Sequence, residues 1–404
     1  MIKPSNPFPK PEKYQMIMKK LFPDISMSKD WSFIFSDETS FLDEIELKNS
    51  IKLLDKISVI IELRSQLLEQ DYENNIIYSP SGAWGPEYRN SIEYNNSVRN
   101  VNDSYGLLAK KDYDIIRKLR FYCECFTGYQ LATLELASKR PWIANKLPDD
   151  WDQVLCHLAG PIPSEVFQTI SIADKLPPNL RLRPPKKFGE IGWLVSDEIF
   201  NHDLLCYQQI ISLMFENGII ELLNERLKNN EIIRIVEIGG GYGALAFYLS
   251  QIFNSRIKYS IIDIPESLAF ASVYCSSIPI NIPTVLIEKP GKDRLMDQPC
   301  CEFIPNIYSS VLEDRDRVVD LCINTLSLAE MSPDQVEHYC SLIQKLIGRT
   351  GMFFEQNRAS NELKLESTFP KYFKKIRKCK SKLFTHFKEF RGEANLWANA
   401  DWRK

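Results

Sequence analysis

Ile232-Ile-Arg-Ile-Val-Glu-Ile-Gly-Gly-Gly-Tyr-Gly-Ala244 is the stretch that decides the fold: a short β-branched run that stops abruptly in glycines. A helical pattern follows from Ala244 to Ile252, then a strand-like Tyr259-Ser-Ile-Ile-Asp263, then a helix from Pro265. Strand, helix, strand, helix at this spacing predicts a parallel sheet with right-handed crossovers. Further strands fit Val318-Val-Asp-Leu-Cys-Ile323 and Gly351-Met-Phe-Phe354, with a helix from Pro333 to Ile347 between them. That helix starts at Ser332-Pro-Asp-Gln335, which supplies an N-cap, a proline at the first position and a capping-box glutamine. Lys371 to Lys382 reads as a solvated edge strand guarded by lysines, with a phosphorylated or nucleotide-linked acceptor as the rival use of its charge, and Asn395-Leu-Trp-Ala-Asn399 as an antiparallel return strand.

Upstream the pattern changes. Apolar residues recur at three- and four-residue steps from Phe41 to about Gln70, which predicts one long amphipathic helix. Residues 76–106 break every period while keeping Tyr and Trp, as a long ordered loop anchored by its aromatics does. Asp112 to Lys139 reads helical with a break near Gly128. Prolines then cluster between Pro161 and Gly192, which helices do not cross. The expected division is therefore a mainly helical domain over 1–190, serving acceptor recognition, a lid or oligomerisation, and a Rossmann-like α/β domain over 191–404 that opens with a helical stretch from Asp197 to Lys228.

Composition narrows the functional classes. The 404 residues are 44% hydrophobic and 25% charged, enough for a sizeable core and for two domains. A net charge of -3 without strong asymmetry leaves no footprint for a phosphate backbone, so no nucleic-acid partner is expected. No apolar run reaches bilayer length, and prolines and lysines stand where a signal peptide would be apolar, so neither membrane insertion nor export is expected. Ten cysteines without disulfide-framework spacing fit a reducing cytoplasm, with Cys123 and Cys125 read as packed thiols. Oligomeric state is left open, a homo-oligomer included.

In an open parallel sheet, ligands bind at the carboxyl ends of the strands, and the first turn carries the glycines. Gly239, Gly241 and Gly243 let the backbone turn sharply and approach a ligand, while the next helix offers its amides and a partial positive charge. Gly239-x-Gly241-x-x-Ala244 also satisfies the dinucleotide pattern, so an NAD(P)-dependent oxidoreductase stays in view. Glu237, two residues ahead of the first glycine, favours a cationic cofactor, since it would repel a pyrophosphate but attract the methionine portion of S-adenosylmethionine. Asp263 closes the second strand, where an acid reaches ribose hydroxyls.

Three segments together carry a resemblance. Val236-Glu-Ile-Gly-Gly-Gly-Tyr-Gly243, Ile262-Asp-Ile-Pro-Glu266 and Asn324-Thr-Leu-Ser-Leu-Ala-Glu-Met331 look like successive signatures of the sugar O-methyltransferases of bacterial surface-polysaccharide loci. These belong to the seven-stranded class I methyltransferases, and the resemblance covers roughly residues 190 to 360. It implies S-adenosylmethionine as cofactor and a sugar or glycan as acceptor. Glu237, Gly239, Gly241 and Gly243 would hold the methionine end, with Gly240 and Tyr242 on the same turn, Asp263 the ribose, and Ile264 would pack by the adenine. A cofactor-binding partner without turnover remains a third class.

A sugar hydroxyl is a poor nucleophile and benefits from a nearby base or a divalent metal. Glu330, between the strand ending near Asn324 and the N-cap Ser332, is the leading base or acceptor ligand. His202, early in the helix leading to the glycine strand, is the second candidate. The spacing of Val336, Tyr339, Cys340, Ile343 and Ile347 turns His338 to the opposite, wet face. Asn324 would touch cofactor or acceptor, and Ser327 shares its neighbourhood. Glu355, Gln356 and Asn357 end the next strand and suit sugar hydroxyls. Use of a metal stays open, since no compact acid cluster announces one.

Overall fold

The computed structural model describes residues 31–35, 44–81, 163–185, 191–200, 202–229, 232–289, 298–313, 318–358, 365–384 and 392–403. In chain order the helices are α1 (Glu44–Gln70), α2 (Tyr72–Asn75), α3 (Pro163–Ala173), α4 (His202–Glu216), α5 (Ile219–Asn229), α6 (Ala244–Ile252), α7 (Pro265–Ser277), α8 (Pro333–Ile347) and α9 (Leu365–Tyr372). The strands are β1 (Trp31–Phe35), β2 (Ile191–Val195), β3 (Glu198–Phe200), β4 (Ile233–Ile238), β5 (Ile257–Asp263), β6 (Thr284–Leu286), β7 (Cys300–Pro305), β8 (Leu321–Thr325), β9 (Met352–Gln356), β10 (Lys374–Cys379) and β11 (Ala394–Ala398). Two compact units are present: one drawn from 1–51, 96–212 and 277–279, the other from 52–95, 213–276 and 280–404.

The first unit holds a three-stranded antiparallel sheet in the order β1-β2-β3. The sequence reads helix from Asp197 onward, but Ser196 and Asp197 both take positive φ and close a two-residue hairpin between β2 and β3. Such a turn matches the natural twist of paired strands, and here it overrides the helical pattern. Helix then runs only from His202, and Asn217-Gly218, with Gly218 at φ +73, interrupts it before α5. Gln208 is buried and satisfies the proline-rich turn, its amide donating to the Leu180 carbonyl and accepting from the Leu182 N–H, each at 2.9 Å.

The second unit is built on an eight-stranded sheet in the order β10-β11-β9-β8-β4-β5-β7-β6. From β9 to β6 every neighbour is parallel, while β11 runs antiparallel between β9 and β10. The sheet is thus Rossmann-like in the seven-stranded form, with β6 added at one edge. Every residue of β4 is buried, as a central parallel strand covered on both faces requires. The sequence reading omits β6, which has three residues, and β7, whose Cys-Cys-Glu-Phe-Ile-Pro lacks the β-branched run that marks β4. The expected edge strand and return strand are β10 and β11, and Lys375 lies 4.6 Å over the Trp397 ring.

Residues 52–81, from the half expected to fold as a separate helical domain, belong to the unit that contains this sheet. On α1, Leu54, Ile57, Ile60 and Arg64 are buried at helical spacing. Lys56 pairs with Glu288, which follows β6, and Arg64 pairs with Glu266, which follows β5. Eight residues of helix rise about 12 Å, roughly the two strand spacings from β6 across β7 to β5. Helix α1 therefore crosses the carboxyl ends of these three strands. A 3-10 turn, Ile76–Tyr78, then leads a strap over residues 76–81. Of the loop expected over 76–106, only 76–81 lies within the described residues. The helix expected over 112–139, Cys123, Cys125, His157 and His386 lie outside them.

Candidate active site

The glycine turn joins β4 to α6 at the carboxyl edge. Gly239, Gly241 and Gly243 all take positive φ, a conformation that penalises any side chain. At Gly239 a Cβ would also collide with the side chain of Ser327. The Gly239 N–H still bonds the Ile262 carbonyl at 2.8 Å, so the turn begins as an extension of the sheet. Tyr242 is buried and meets Tyr274 edge-on at 5.0 Å.

Glu237 does not project out of this turn. Its carboxylate is buried beneath it, near enough that a Cβ on Gly240 would stand 2.8 Å from Oε2, and the Tyr259 hydroxyl donates to it at 2.7 Å. Burial pushes its pKa up to about 7, against the Tyr259 bond and with help from the Asp263 charge. Asp263 accepts from Gly241 N–H at 3.2 Å, Ser267 Oγ at 2.8 Å and Ile264 N–H at 2.8 Å. Its pKa is also about 7, because burial outweighs those three bonds. Ile264 is half-buried, and its carbonyl opens α7 by accepting from Ser267 and Leu268. Neither carboxylate makes an ion pair among the described residues.

The third motif lies one strand over. Asn324 is fully buried, donates to the Ile238 carbonyl at 2.8 Å and accepts from Leu328 N–H. Ser327 donates to the same carbonyl at 3.0 Å. Both therefore hold the end of β4 and the start of the glycine turn. Between them Leu326 sits at φ +71, strained for an apolar residue, with its N–H bonded to the Gln356 carbonyl at 2.8 Å. Glu330 ends the 3-10 turn Ser327–Glu330, half-buried, with Arg358 3.5 Å away. Glu355 is buried and accepts from Asn357, Asn395 and Trp397 at 3.1, 2.7 and 3.2 Å, and burial raises its pKa despite those donors. Asn357 in turn accepts from Ala329 N–H at 3.3 Å. These hydrogen bonds tie the third motif to the return strand. His202 begins α4, and its side chain lies outside the described residues.

His338 is a correction. The helix pattern predicts a wet face for it, but the strap covers that face. Its ring meets Tyr78 and Tyr339 edge-on at 6.3 and 5.3 Å, and burial lowers its pKa. A contact from residue 78 to a helix at 338 carries no local signal. The same holds for Asn306, which follows β7 and is 2% exposed. Its Nδ2 donates to the Tyr78 carbonyl at 2.9 Å, and its Oδ1 is buried with no partner among the described residues. The terminal proline of Cys300-Cys-Glu-Phe-Ile-Pro305 is the sequence signal that could have marked a strand end here.

No family model and no curated protein matches this chain. Solved structures similar to it include a TehB-like SAM-dependent methyltransferase from Corynebacterium glutamicum, at 13% identity over 48% of this chain and 96% of that one, with a TM-score of 0.30. A magnesium protoporphyrin IX methyltransferase from Synechocystis matches at 12% identity, 48% and 84% coverage and a TM-score of 0.30. An N-methyltransferase from Bradyrhizobium japonicum matches at 12% identity, 46% and 96% coverage and a TM-score of 0.27. Scores at this level leave the fold to the strand order itself.

Among the described residues there is no group of three or more His, Cys, Asp or Glu placed to hold a metal, and no helix long and apolar enough to cross a membrane. Cys206, Cys275, Cys300, Cys301, Cys322, Cys340 and Cys379 are buried and form no disulfide among the described residues.

Proposed function

We propose that this chain is an S-adenosylmethionine-dependent O-methyltransferase acting on a hydroxyl of a sugar in a surface polysaccharide or its precursor. The observation that carries the cofactor is the pair Glu237, buried, and Asp263, half-buried, at the carboxyl edge with only neutral donors among the described residues. A buried carboxylate favours a cation nearby, and Glu237 lies directly under the turn where a sulfonium and an ammonium would rest. Asp263 would exchange its bond from Gly241 for ribose hydroxyls. Asn306 Oδ1, one strand over, would accept from the adenine amino group. When bound, S-adenosylmethionine supplies an electrophilic methyl carbon on a positively charged sulfur.

The protein's part is to hold the acceptor oxygen in line behind that carbon and to take its proton. Glu330 is the base in this reading: its carboxylate receives the hydroxyl proton as the carbon–oxygen bond forms and the carbon–sulfur bond breaks. His202 is the second candidate. Ser327, Glu355 and Asn357 act here chiefly by fixing the strand mouth that presents Glu330 to the sugar. The sugar assignment is supported by the three ordered motifs.

Equilibrium dialysis with S-adenosylhomocysteine and NADH tests the cofactor, and NADH bound alone would replace this proposal with the oxidoreductase. Radiolabelled methyl donor is then incubated with fractionated envelope carbohydrate. Label is expected in a glycan fraction and should fall by about a hundredfold with Glu330→Gln at unchanged cofactor affinity. Label in protein or RNA instead would overturn the acceptor class.

A further inference from the structure

We infer that Gln335 is a positioning residue for the cofactor's adenine: it clamps the strap of residues 77–79, and the strap orients Asn306 as a hydrogen-bond acceptor. This rests on the adenosyl reading above. A capping box needs only one oxygen from its glutamine. Gln335 provides it, accepting from Ser332 N–H at 3.1 Å, and the same Oε1 accepts from the Ser81 hydroxyl. Its amide nitrogen is surplus to that task, and both its protons go to the strap: to the Ile77 carbonyl at 2.9 Å and the Ser79 carbonyl at 2.8 Å. Ser81 Oγ also accepts from Ser332 N–H at 3.0 Å. Gln335 is 5% exposed, so these bonds are made away from water.

Tyr78 stands between the two clamped carbonyls. Its own carbonyl accepts from Asn306 Nδ2 at 2.9 Å, which uses the donor end of that amide. The acceptor end, Oδ1, is left buried and unpartnered among the described residues. A flipped amide would set Oδ1 against the Tyr78 carbonyl, acceptor against acceptor, so the strap decides which atom is offered. A buried acceptor without a donor is unfavourable, and a ligand that supplies an N–H removes that penalty. Asn306 follows Pro305, the register partner of Asp263 on the neighbouring strand. It thus stands one strand from the acid assigned to the ribose, and the group it selects is an amino group rather than a keto group on the purine.

The experiment is calorimetry with S-adenosylhomocysteine and its analogue carrying a 6-oxo purine. The wild-type protein should prefer the amino form by tenfold or more, because a buried acceptor would face the keto oxygen. Gln335→Glu puts a carboxylate against the Ile77 and Ser79 carbonyls and should cut that preference about tenfold, while affinity for the keto form changes little. Asn306→Ala should do the same, and the double variant should lose no more than either alone. If Gln335→Glu fails to fold, Gln335→Asn, whose shorter amide falls short of the strap, gives the same readout. A wild type that binds both forms equally, or Gln335 variants that keep the preference, would overturn the positioning role. A wild type that binds neither form sinks the adenosyl reading itself.

Discussion

At the amino edge of the central sheet Asp320 is answered by charge, whereas at the carboxyl edge Glu237 and Asp263 are answered, among the described residues, only by neutral donors. Asp320 accepts from Arg226 at 2.8 Å and from the Arg234 N–H at 2.7 Å, and Arg226 continues to the Thr350 carbonyl. Glu237 has the Tyr259 hydroxyl, and Asp263 has two backbone amides and the Ser267 hydroxyl. Both of these acids are pushed up to a pKa of about 7. Among the described residues the amino-edge acid is matched by a cation, and at the carboxyl edge Glu266 and Glu288 are matched by Arg64 and Lys56. Glu237 and Asp263 are the acids there without one among the described residues, and a cationic ligand at the strand mouths would supply it.

Two glycines give the largest test of that contrast. Gly239→Ala combines a positive φ with a collision against Ser327, and Gly351→Ala at the amino edge drives a methyl into the Val319 and Ile347 carbonyls. Each should reduce unfolding free energy by about 3 kcal/mol in denaturant titrations. Only the first should also abolish S-adenosylmethionine binding; loss of binding in both would erase the distinction between the edges. Asp320→Ala comes next, leaving Arg226 and the Arg234 N–H without their partner. It should reduce stability by about 2–3 kcal/mol and leave cofactor affinity of the folded protein unchanged.

Glu237→Gln should act in the opposite sense. It should weaken S-adenosylmethionine binding by roughly tenfold, yet leave stability at pH 8 equal or higher, since a buried carboxylate without a cation is removed. A destabilised variant with intact affinity would mean that Glu237 is only part of the packing. The last test is in pH. Because the folded protein holds protons on Glu237 and Asp263 more tightly than the unfolded chain does, stability of the cofactor-free protein should fall as pH rises from about 4 to about 7. Affinity for S-adenosylmethionine should rise through pH 7 as Glu237 ionises, and the rise should flatten in Glu237→Gln.

The sheet was legible because buried parallel strands and glycine turns are local patterns. The six-residue β4, the turn after it, Asp263 at the end of β5 and the cap at Ser332 all lie where the residues place them. The hairpin at Ser196-Asp197 was hidden, because helix-like apolar spacing continued through it and only pairing with β2 revealed the turn. Glu355 and Asn357 carried the right chemistry for sugar hydroxyls. Whether their atoms were free was not written in β9 but in the return strand some forty residues on, where Asn395 and Trp397 bind Glu355.

By itself the sequence determined a Rossmann-like sheet with a carboxylate-flanked glycine turn, since hydrophobic period, glycine placement and strand-end acids are properties of neighbouring residues. Tertiary structure alone decided that Glu237 lies under the turn rather than beyond it, that Tyr78 of the strap partly covers His338, and that Gln335 and Asn306 meet across Tyr78. The last two depend on contacts between segments more than two hundred residues apart, and all three are fixed by packing and by the need to satisfy buried polar atoms, not by any local pattern.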